Sequence, residues 1–323
     1  MGEALLSGLL RAGRQVKDLV VSERMPDRAR YLAETYSVQV TSLPDAVENA
    51  TFVIIAVKPS DVGSVVGEIA KVTAEAAENS PDQVFITVAA GVTTAYLESK
   101  LLAGTPVVRV MPNAPALVGA GISAMAKGRF ATPEQLKEVA ALFDSVGSVL
   151  TVAEEHLDAV TAVSGSGPAY FFLMVEALVD AGVGVGLSRA VSTELVTQTM
   201  AGSAALLLDR MEHDRETGPG ATRDLSLDTT AAKLRAIVTS PGGTTAAALR
   251  ELEGRGLRAA VDEAVRAAKT RSEQLRITSE SFIEFYLFAI TRRNNPTSPA
   301  ILLVGMHLWV PAVGKPLGLQ EPD

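Results

Sequence analysis

Short runs of β-branched and aliphatic residues alternate with amphipathic stretches through the first half of the chain. Runs that are apolar throughout predict strands of a parallel sheet covered by helices on both faces, and their alternation with helical patterns is typical of βαβ units. The sequence therefore predicts an α/β fold with a doubly wound sheet between Gly2 and about Val152. The predicted strands are Leu19–Val21, Val38–Val40, Phe52–Val57, Val84–Val88 and Val107–Met111.

The pattern changes after Val152 to helical periods rich in alanine and leucine, and a chain of 323 residues is long enough for two hydrophobic cores. We predict a sheet domain over residues 1–152 and an all-helical domain over residues 153–278. A polar stretch from Glu212 to Thr230 predicts a surface loop between helices. Residues 279–323, which contain Trp309, have a different composition and are predicted to be an atypical C-terminal extension.

Charge and cysteine content exclude several classes of protein. Asp and Glu number 37 against 29 Lys and Arg, so the net charge of −8 argues against binding to nucleic acid or an anionic membrane. The chain has no cysteine, which excludes thiolate chemistry and fits a reducing cytoplasm, and we assign no metal site. The start of the chain shows no secretory pattern. The apolar stretch Pro168–Leu187 carries Glu176 and Asp180 and is predicted to be a buried helix rather than a membrane span.

The opening helix is the first candidate for binding a dinucleotide. A Rossmann-like site places a glycine-rich turn between the first strand and the first helix, where backbone N–H groups reach the pyrophosphate. Gly2 could be the last glycine of that turn, or an ordinary helix start. The first strand is missing, so we expect an empty central slot and an apolar strand ending in Gly-x-Gly-x upstream of Met1. Restoring that strand should tighten cofactor binding at least about tenfold.

The end of the second strand of such a sheet discriminates between cofactors. An acidic residue there favours a ribose 2′-hydroxyl, whereas a small polar residue followed by arginine accepts a 2′-phosphate. Ser22 takes the strand-end position and Arg24 offers a fork of donors, although Glu23 between them keeps NADH possible. The sequence favours NADPH; the alternative is a solvated charge pair at a helix start.

Small residues and one lysine follow three later strands, at the edge of the sheet where ligands bind in such folds. Each turn alone could be a tight connection between a strand and a helix, but together they predict a cofactor rim. The rim residues are Ala56, Val57, Lys58, Pro59, Ala89, Ala90, Gly91 and Asn113.

The most specific motif runs from Ser240 to Thr245, with the sequence Ser-Pro-Gly-Gly-Thr-Thr. Two glycines and two hydroxyls at a helix start can cradle an anion, because free N–H groups and the positive end of the helix dipole attract a carboxylate. We expect the amides of Gly242, Gly243 and Thr244 to hold a carboxylate and the hydroxyl of Thr245 to bond a neighbouring heteroatom. A capped helix start without a ligand explains the repeated glycines and threonines poorly.

With these motifs the chain resembles the pyrroline-5-carboxylate reductase family over roughly Gly2 to Ser279. The resemblance implies reduction of 1-pyrroline-5-carboxylate to L-proline, the last step of proline synthesis, and a helical domain that forms dimers and larger rings. The residues it assigns to NADPH are Ser22, Arg24, Lys58, Pro59, Ala90 and Gly91. The residues it assigns to the substrate are Gly243, Thr244 and Thr245; Glu154 either approaches the substrate or is a surface acid. From the position of its hydroxyl in the motif we predict that Thr245 is the catalytic residue.

The chain departs from the family in its missing first strand, its longer loop after Glu212 and its extension beyond Thr278. We expect deletion of the extension to leave oligomer and activity intact. Two rival functions stay open: a non-catalytic family member without a phosphate loop, and another Rossmann-type reductase, such as a hydroxyacid or deazaflavin-linked oxidoreductase. The second rival would not need the motif from Ser240 to Thr245.

Overall fold

A computed structural model describes residues 1–48, 50–75, 83–217, 230–276 and 301–304, the last four and residues 214–217 as backbone only. The chain forms two compact units: residues 1–165 together with the chain from 268 onward, and residues 166–267. These divisions differ from the predicted boundaries at 152 and 278. Leu157 packs with Ala124 and Ala126 of the sheet, which keeps the segment after residue 152 in the first unit.

The first unit contains the sheet, and the order of its strands explains where the site lies. Its strands lie in the order β2, β1, β8, β3, β4, β5, β6, β7, and neighbours are parallel except β5 and β6, which are antiparallel. The strands are β1 (Leu19–Ser22), β2 (Gln39–Val40), β3 (Phe52–Ile55), β4 (Val84–Thr87), β5 (Val107–Met111), β6 (Gly121–Lys127), β7 (Gly147–Thr151) and β8 (Ile301–Val304).

Helices cover the sheet and bury an apolar face against it. On α1, Leu5, Leu6 and Leu9 are at most 1% exposed and belong to the same core as Phe52 and Phe85 of the sheet. The predicted doubly wound fold is confirmed. The helices of this unit are α1 (Gly2–Arg11), α2 (Pro26–Tyr36), α3 (Leu43–Glu48), α4 (Val62–Glu75), α5 (Thr94–Glu98), α6 (Pro133–Phe143) and α7 (Leu157–Val160).

The expectation of an empty central slot is wrong for this chain. Strand β8 occupies the position between β1 and β3 and is paired in parallel with both, Val20 and Val53 lying level with Leu302. An interior edge of unpaired N–H and C=O groups is costly, and a short apolar segment satisfies it. Residues 301–304 of the predicted C-terminal extension are therefore part of the sheet, and the expectation that deletion of the extension is harmless does not fit this strand.

The second unit is helical, as predicted, with α12 running from it into the first unit. Its helices are α8 (Gly167–Gly184), α9 (Arg189–Thr217), α10 (Thr230–Ile237), α11 (Thr244–Gly254) and α12 (Leu257–Gln274). The predicted loop from Glu212 is wrong at its start, because α9 continues to Thr217; residues 218–229 lie outside the described residues. A helix-forming sequence of Met, Glu, His and Arg extends α9 there.

Helix α8 is largely apolar apart from Glu176 and Asp180, and its predicted burial is wrong within a single chain. Only Gly167 and Val179 of its residues are buried, whereas Phe171 and Phe172 are 62% and 63% exposed. By length and composition the helical stretch Glu154–Gly184 would also suffice to cross a membrane. Such an apolar surface needs a partner outside its own chain.

Candidate active site

The carboxyl ends of β1, β8, β3 and β4 lie level with one another in the first unit, and β5 extends two residues beyond them. Ser22 lies level with Val304, Val304 with Ile55, Ile55 with Thr87, and Thr87 with Arg109. Ligands of open parallel sheets bind at this edge, where the connections leave the strands. The structure therefore brings the predicted cofactor residues after β1, β3 and β4 to a common rim.

Ser22 and Arg24, the residues predicted to bind the ribose 2′-phosphate, lie at and just after the end of β1. Ser22 is buried at 6% exposure, and Arg24 is exposed in the turn that leads to α2. The Glu23 carboxylate accepts a 3.0 Å hydrogen bond from the N–H of Met25, so it caps that turn. A carboxylate that is held by the turn competes less for a ribose hydroxyl, and the binding of a phosphate by Arg24 stays a prediction.

In the turn after β3, the exposed Lys58 directly follows two buried apolar residues. Ala56 and Val57 are fully buried, whereas Lys58 is exposed and Pro59 is partly exposed. Lys58 is extended and precedes a short 3-10 turn, Pro59–Asp61. The buried pair fixes the backbone under the sheet edge, and the lysine ammonium remains in solvent, where an anionic ligand can meet it.

Glycine is required at position 91, after β4, by the backbone conformation there and by the close approach of a neighbouring carbonyl. Its φ is +76°, and a Cβ added there would lie 2.6 Å from the carbonyl oxygen of Leu275, at the end of α12. A side chain at this position would therefore be strained and would collide with backbone. Ahead of it, Thr87 Oγ1 accepts a 3.2 Å hydrogen bond from the N–H of Ala89, and Ala90 is partly exposed.

Two other predicted cofactor residues have defined places in the structure. Gly2 is buried at the first position of α1. Asn113, after β5, accepts a 2.9 Å hydrogen bond at Oδ1 from the N–H of Ile122 and so ties the following turn to β6. Its contact with a cofactor stays a prediction.

Glu154 is held by the first unit through both carboxylate oxygens. Oε1 accepts a 2.7 Å hydrogen bond from the N–H of Thr94 and Oε2 a 2.6 Å bond from its hydroxyl, so the carboxylate sits at the start of α5. Arg109 Nη1 is 3.5 Å from Oε1. These contacts favour a structural role for Glu154 over the predicted contact with substrate.

Sequence reasoning missed a buried ion cluster beside Glu154. Asp158 and Arg109 are 1% and 3% exposed, with Arg109 Nη2 3.8 Å from Asp158 Oδ1. Ser272 Oγ donates a 2.8 Å hydrogen bond to Asp158 Oδ1, and Arg276 donates to Oδ2 through Nε at 2.8 Å and through Nη2. The one available signal was an arginine inside the apolar strand run Val107–Met111, because a buried charge needs a partner.

The charges of this cluster shift each other's pKa values. Burial alone raises the pKa of Asp158, but hydrogen bonds from Ser272 and Arg276 and the positive charges of Arg276 and Arg109 outweigh it, and the net pKa is lowered. Burial lowers the pKa of Arg109, which Glu154 and Asp158 oppose. Asp158 is therefore ionised at neutral pH and compensates two guanidinium groups.

The predicted anion cradle lies in the second unit and starts a helix. Gly243 donates a 3.0 Å hydrogen bond to the carbonyl of Ser240, and Gly242 between them has a φ of +70°. Proline at the second turn position and glycine at the third are the residues that a type II turn demands. Helix α11 begins directly after this turn at Thr244, with Gly243 as its N-cap.

This turn bears on which amides are open to an anion. The N–H of Gly243 already donates within the turn to the carbonyl of Ser240, and its predicted contact with a substrate carboxylate stays a prediction. The first amides of a helix have no acceptor inside it, which points to Thr244, Thr245 and Ala246. Thr244 is exposed and Thr245 is partly exposed, so both hydroxyls can be reached from solvent.

Comparison with known proteins identifies the family of this chain. The pyrroline-5-carboxylate reductase of Mycobacterium tuberculosis is 73% identical to this chain over 280 residues, which cover 87% of this chain and 95% of that protein. The reductase of Mycobacterium leprae is 70% identical over the same length, with the same coverage. The chain belongs to the pyrroline-5-carboxylate reductase family. The resemblance seen in the sequence motifs is confirmed.

Two family models match separate parts of this family member. Residues 154–275 match the model for pyrroline-5-carboxylate reductase dimerisation, and residues 1–91 match the model for coenzyme F420-dependent NADP oxidoreductases. The two matches agree with an NADP-dependent oxidoreductase that has a Rossmann-like part and a helical dimerisation part. The exposed apolar surface of α8 lies inside the dimerisation part.

Solved structures of the pyrroline-5-carboxylate reductase family have the same fold. The reductase from Coxiella burnetii superposes with a TM-score of 0.73 at 31% identity, covering 85% of this chain and 95% of that one. The Plasmodium falciparum enzyme, whose crystal structure has NADP bound, gives a TM-score of 0.68 at 28% identity and covers 85% of this chain and 94% of that one.

Proposed function

We propose that this chain reduces 1-pyrroline-5-carboxylate to L-proline with a hydride from NADPH. The observation that carries the proposal is the start of α11, where a type II turn from Ser240 to Gly243 is followed directly by the first helix amides and by Thr244 and Thr245, whose side chains are exposed and partly exposed. A small carboxylate with a neighbouring ring nitrogen has the acceptor and donor groups that this arrangement recognises.

The rim of the first unit fits a dinucleotide. Four rim features support this: strand ends in register, the Ser22 hydroxyl at one of them, the exposed cations Arg24 and Lys58, and the small residues Ala56 and Ala89 between them. Arg24 favours the 2′-phosphate of NADPH, and NADH remains the second cofactor to test. Bound there, NADPH supplies the hydride for the reduction.

The protein's own contribution is to bind and orient the substrate. The amides of Thr244, Thr245 and Ala246 hold the carboxylate at the positive end of α11. The hydroxyl of Thr245 bonds the ring nitrogen and fixes the direction in which the imine carbon faces. Because a protonated imine is already electrophilic, this orientation is the main contribution that side chains need to make.

The proposal is tested by direct assay of the purified protein. 1-Pyrroline-5-carboxylate and NADPH should give a loss of absorbance at 340 nm, with one proline formed for each NADPH oxidised, and NADH should be slower. Proline formation that equals the rate without protein contradicts the proposal and favours a non-catalytic family member. Binding of NADPH, measured in the same preparation, separates a lost cofactor site from a lost substrate site.

A second candidate reaction is hydride exchange with a deazaflavin, favoured by the match of residues 1–91 to coenzyme F420-dependent NADP oxidoreductases. That reaction makes no use of the turn from Ser240 to Gly243. Reduced coenzyme F420 and NADP⁺ are therefore offered to the same preparation. Turnover of this pair at a rate above that of 1-pyrroline-5-carboxylate would replace the proposed function.

The remaining proposals concern assembly and location. We propose that dimers join into larger rings and that the protein works in the cytoplasm, without membrane attachment. The dimerisation part and the absence of cysteine support these proposals. Light scattering coupled to size-exclusion chromatography gives the mass of the assembly, and a mass of two chains contradicts the rings.

A further inference from the structure

Strand β8 lies in the interior of the sheet although it comes last among the described strands. It pairs with β1 from Leu19–Ile301 to Ser22–Val304, and with β3 from Phe52–Ile301 to Ile55–Val304. Helix α1 also lies against it. The two family models end at residues 91 and 275, so β8 is outside both.

The position of β8 fixes the distance between two parts of the cofactor rim. Neighbouring strands lie about 4.8 Å apart, so one intervening strand holds the ends of β1 and β3 about 9.6 Å apart. Ser22, with Arg24 beyond it, lies at the end of β1, and Lys58 follows β3. Without β8, no backbone hydrogen bonds join β1 to β3, and the two parts of the rim lose their fixed separation.

We propose that β8 is a positioning element for NADPH. It holds the 2′-phosphate side of the rim, at Ser22 and Arg24, at the spacing from the Lys58 turn that one extended dinucleotide requires. The inference rests on the proposed function, because it assumes that the rim binds NADPH. It adds that binding depends on a segment beyond the part of the chain that the family models cover.

The placement of β8 is tested first, without any ligand. Hydrogen–deuterium exchange of the full chain should show protected amides at residues 302–304, as slow as those of β3. An interior strand uses its N–H groups in ladders, whereas an unpaired tail exchanges at the rate of an unfolded peptide. Exchange at that unfolded rate overturns the inference, whatever the protein binds.

The dependence of cofactor binding on β8 is tested with Leu302→Pro. Proline removes a backbone N–H and is not tolerated inside a sheet, whereas Leu302→Val keeps the N–H and suits a strand. NADPH affinity should fall at least about tenfold in the proline variant and stay within about twofold in the valine variant. Adenosine 2′,5′-bisphosphate, which spans only the Ser22 side of the rim, should lose less affinity than NADPH.

Comparison of the two ligands separates positioning from folding. Equal losses for NADPH and the bisphosphate, or unchanged NADPH binding in Leu302→Pro, overturn the positioning role. A wild-type chain that binds neither ligand contradicts the proposed cofactor and with it this inference, whereas slow exchange at residues 302–304 would still establish β8 as a strand. The dimer mass of each variant shows whether the helical part has folded.

Discussion

Ser272, near the end of α12, donates a hydrogen bond of 2.8 Å to the buried carboxylate of Asp158, which lies 114 positions earlier in the chain. Arg276 bonds the other oxygen of the same carboxylate. The carbonyl of Leu275 meanwhile contacts Gly91 at the cofactor rim. The end of α12 is thus attached to the first unit at two places, one ionic and one a close backbone contact.

Asp158→Asn should destabilise the protein by about 2 to 4 kcal/mol, because removal of one member of a buried ion pair leaves its partner charged and uncompensated. Arg109 would keep only Glu154 as a counter-charge. Chemical unfolding in urea, followed by circular dichroism, measures the change. Asp262→Asn is the matched control: it also removes an aspartate paired with an arginine, but that pair with Arg266 is exposed, and no measurable change is expected.

Acidification should weaken the stabilising effect of Asp158. Its pKa in the folded protein lies below the ordinary aspartate value of 3.8, so its contribution is fully present above that value and is lost as the pH falls through the lowered pKa. The difference in unfolding free energy between wild type and Asp158→Asn should therefore be constant near neutral pH and shrink below about pH 4. A difference that grows on acidification would show that the carboxylate is not stabilised in its charged form.

Gly91→Ala should destabilise the protein by about 1 to 3 kcal/mol and weaken NADPH binding, since a side chain at positive φ is strained and this one meets backbone. Gly67→Ala is the control, and its effect on stability should have the opposite sign. Gly67 lies within α4, and a Cβ there has nothing within 4 Å, so alanine should stabilise by about 0.5 to 1 kcal/mol. Thermal unfolding and cofactor titration of both variants check the pair; equal behaviour would remove the special role of Gly91.

Arg24→Ala should weaken NADPH by about ten- to a hundredfold, the value of a charge-assisted contact with phosphate, and should spare NADH. Dissociation constants for both cofactors, from fluorescence titration, give the ratio. Arg30→Ala, which removes another exposed arginine from the neighbouring α2, should leave the ratio unchanged. Equal losses for both cofactors would assign Arg24 to folding instead of the 2′-phosphate.

Thr245→Val should lower kcat by about ten- to a thousandfold, on the scale of one positioned hydrogen bond, with little change in the affinity for NADPH. Thr245→Ser retains the hydroxyl and should recover most of the activity. Steady-state kinetics with 1-pyrroline-5-carboxylate measures both variants. Unaltered turnover in the valine variant would remove the hydroxyl from the mechanism.

The parts of the fold that were predictable have local signals, and the missed parts do not. The apolar runs at Phe52 and Val107 predicted β3 and β5 because strands covered on both faces are apolar throughout. Strand β7 was missed because most of its residues are partly or fully exposed. Strand β8 was missed because its place is determined by β1 and β3, which are far away in the sequence.

The site shows the same contrast. The proline and glycines at 241–243 predicted a turn at a helix start, and the structure contains it. The use of the Gly243 amide inside that turn could not be predicted, because it depends on the turn type. The cluster of Asp158, Ser272 and Arg276 joins distant segments, and no local pattern relates them.

The interior position of β8 also determines the order in which the sheet can be completed during synthesis. Strands β1 and β3 leave the ribosome long before residues 301–304. Until those residues are synthesised, the edges of β1 and β3 that pair with β8 remain unpaired. Contacts between such distant segments raise the contact order, and the loop that must close is almost as long as the chain. The first unit should therefore refold slowly compared with the helical part. The partly folded first unit, in which β8 is not yet paired, is the species that a chaperone would bind.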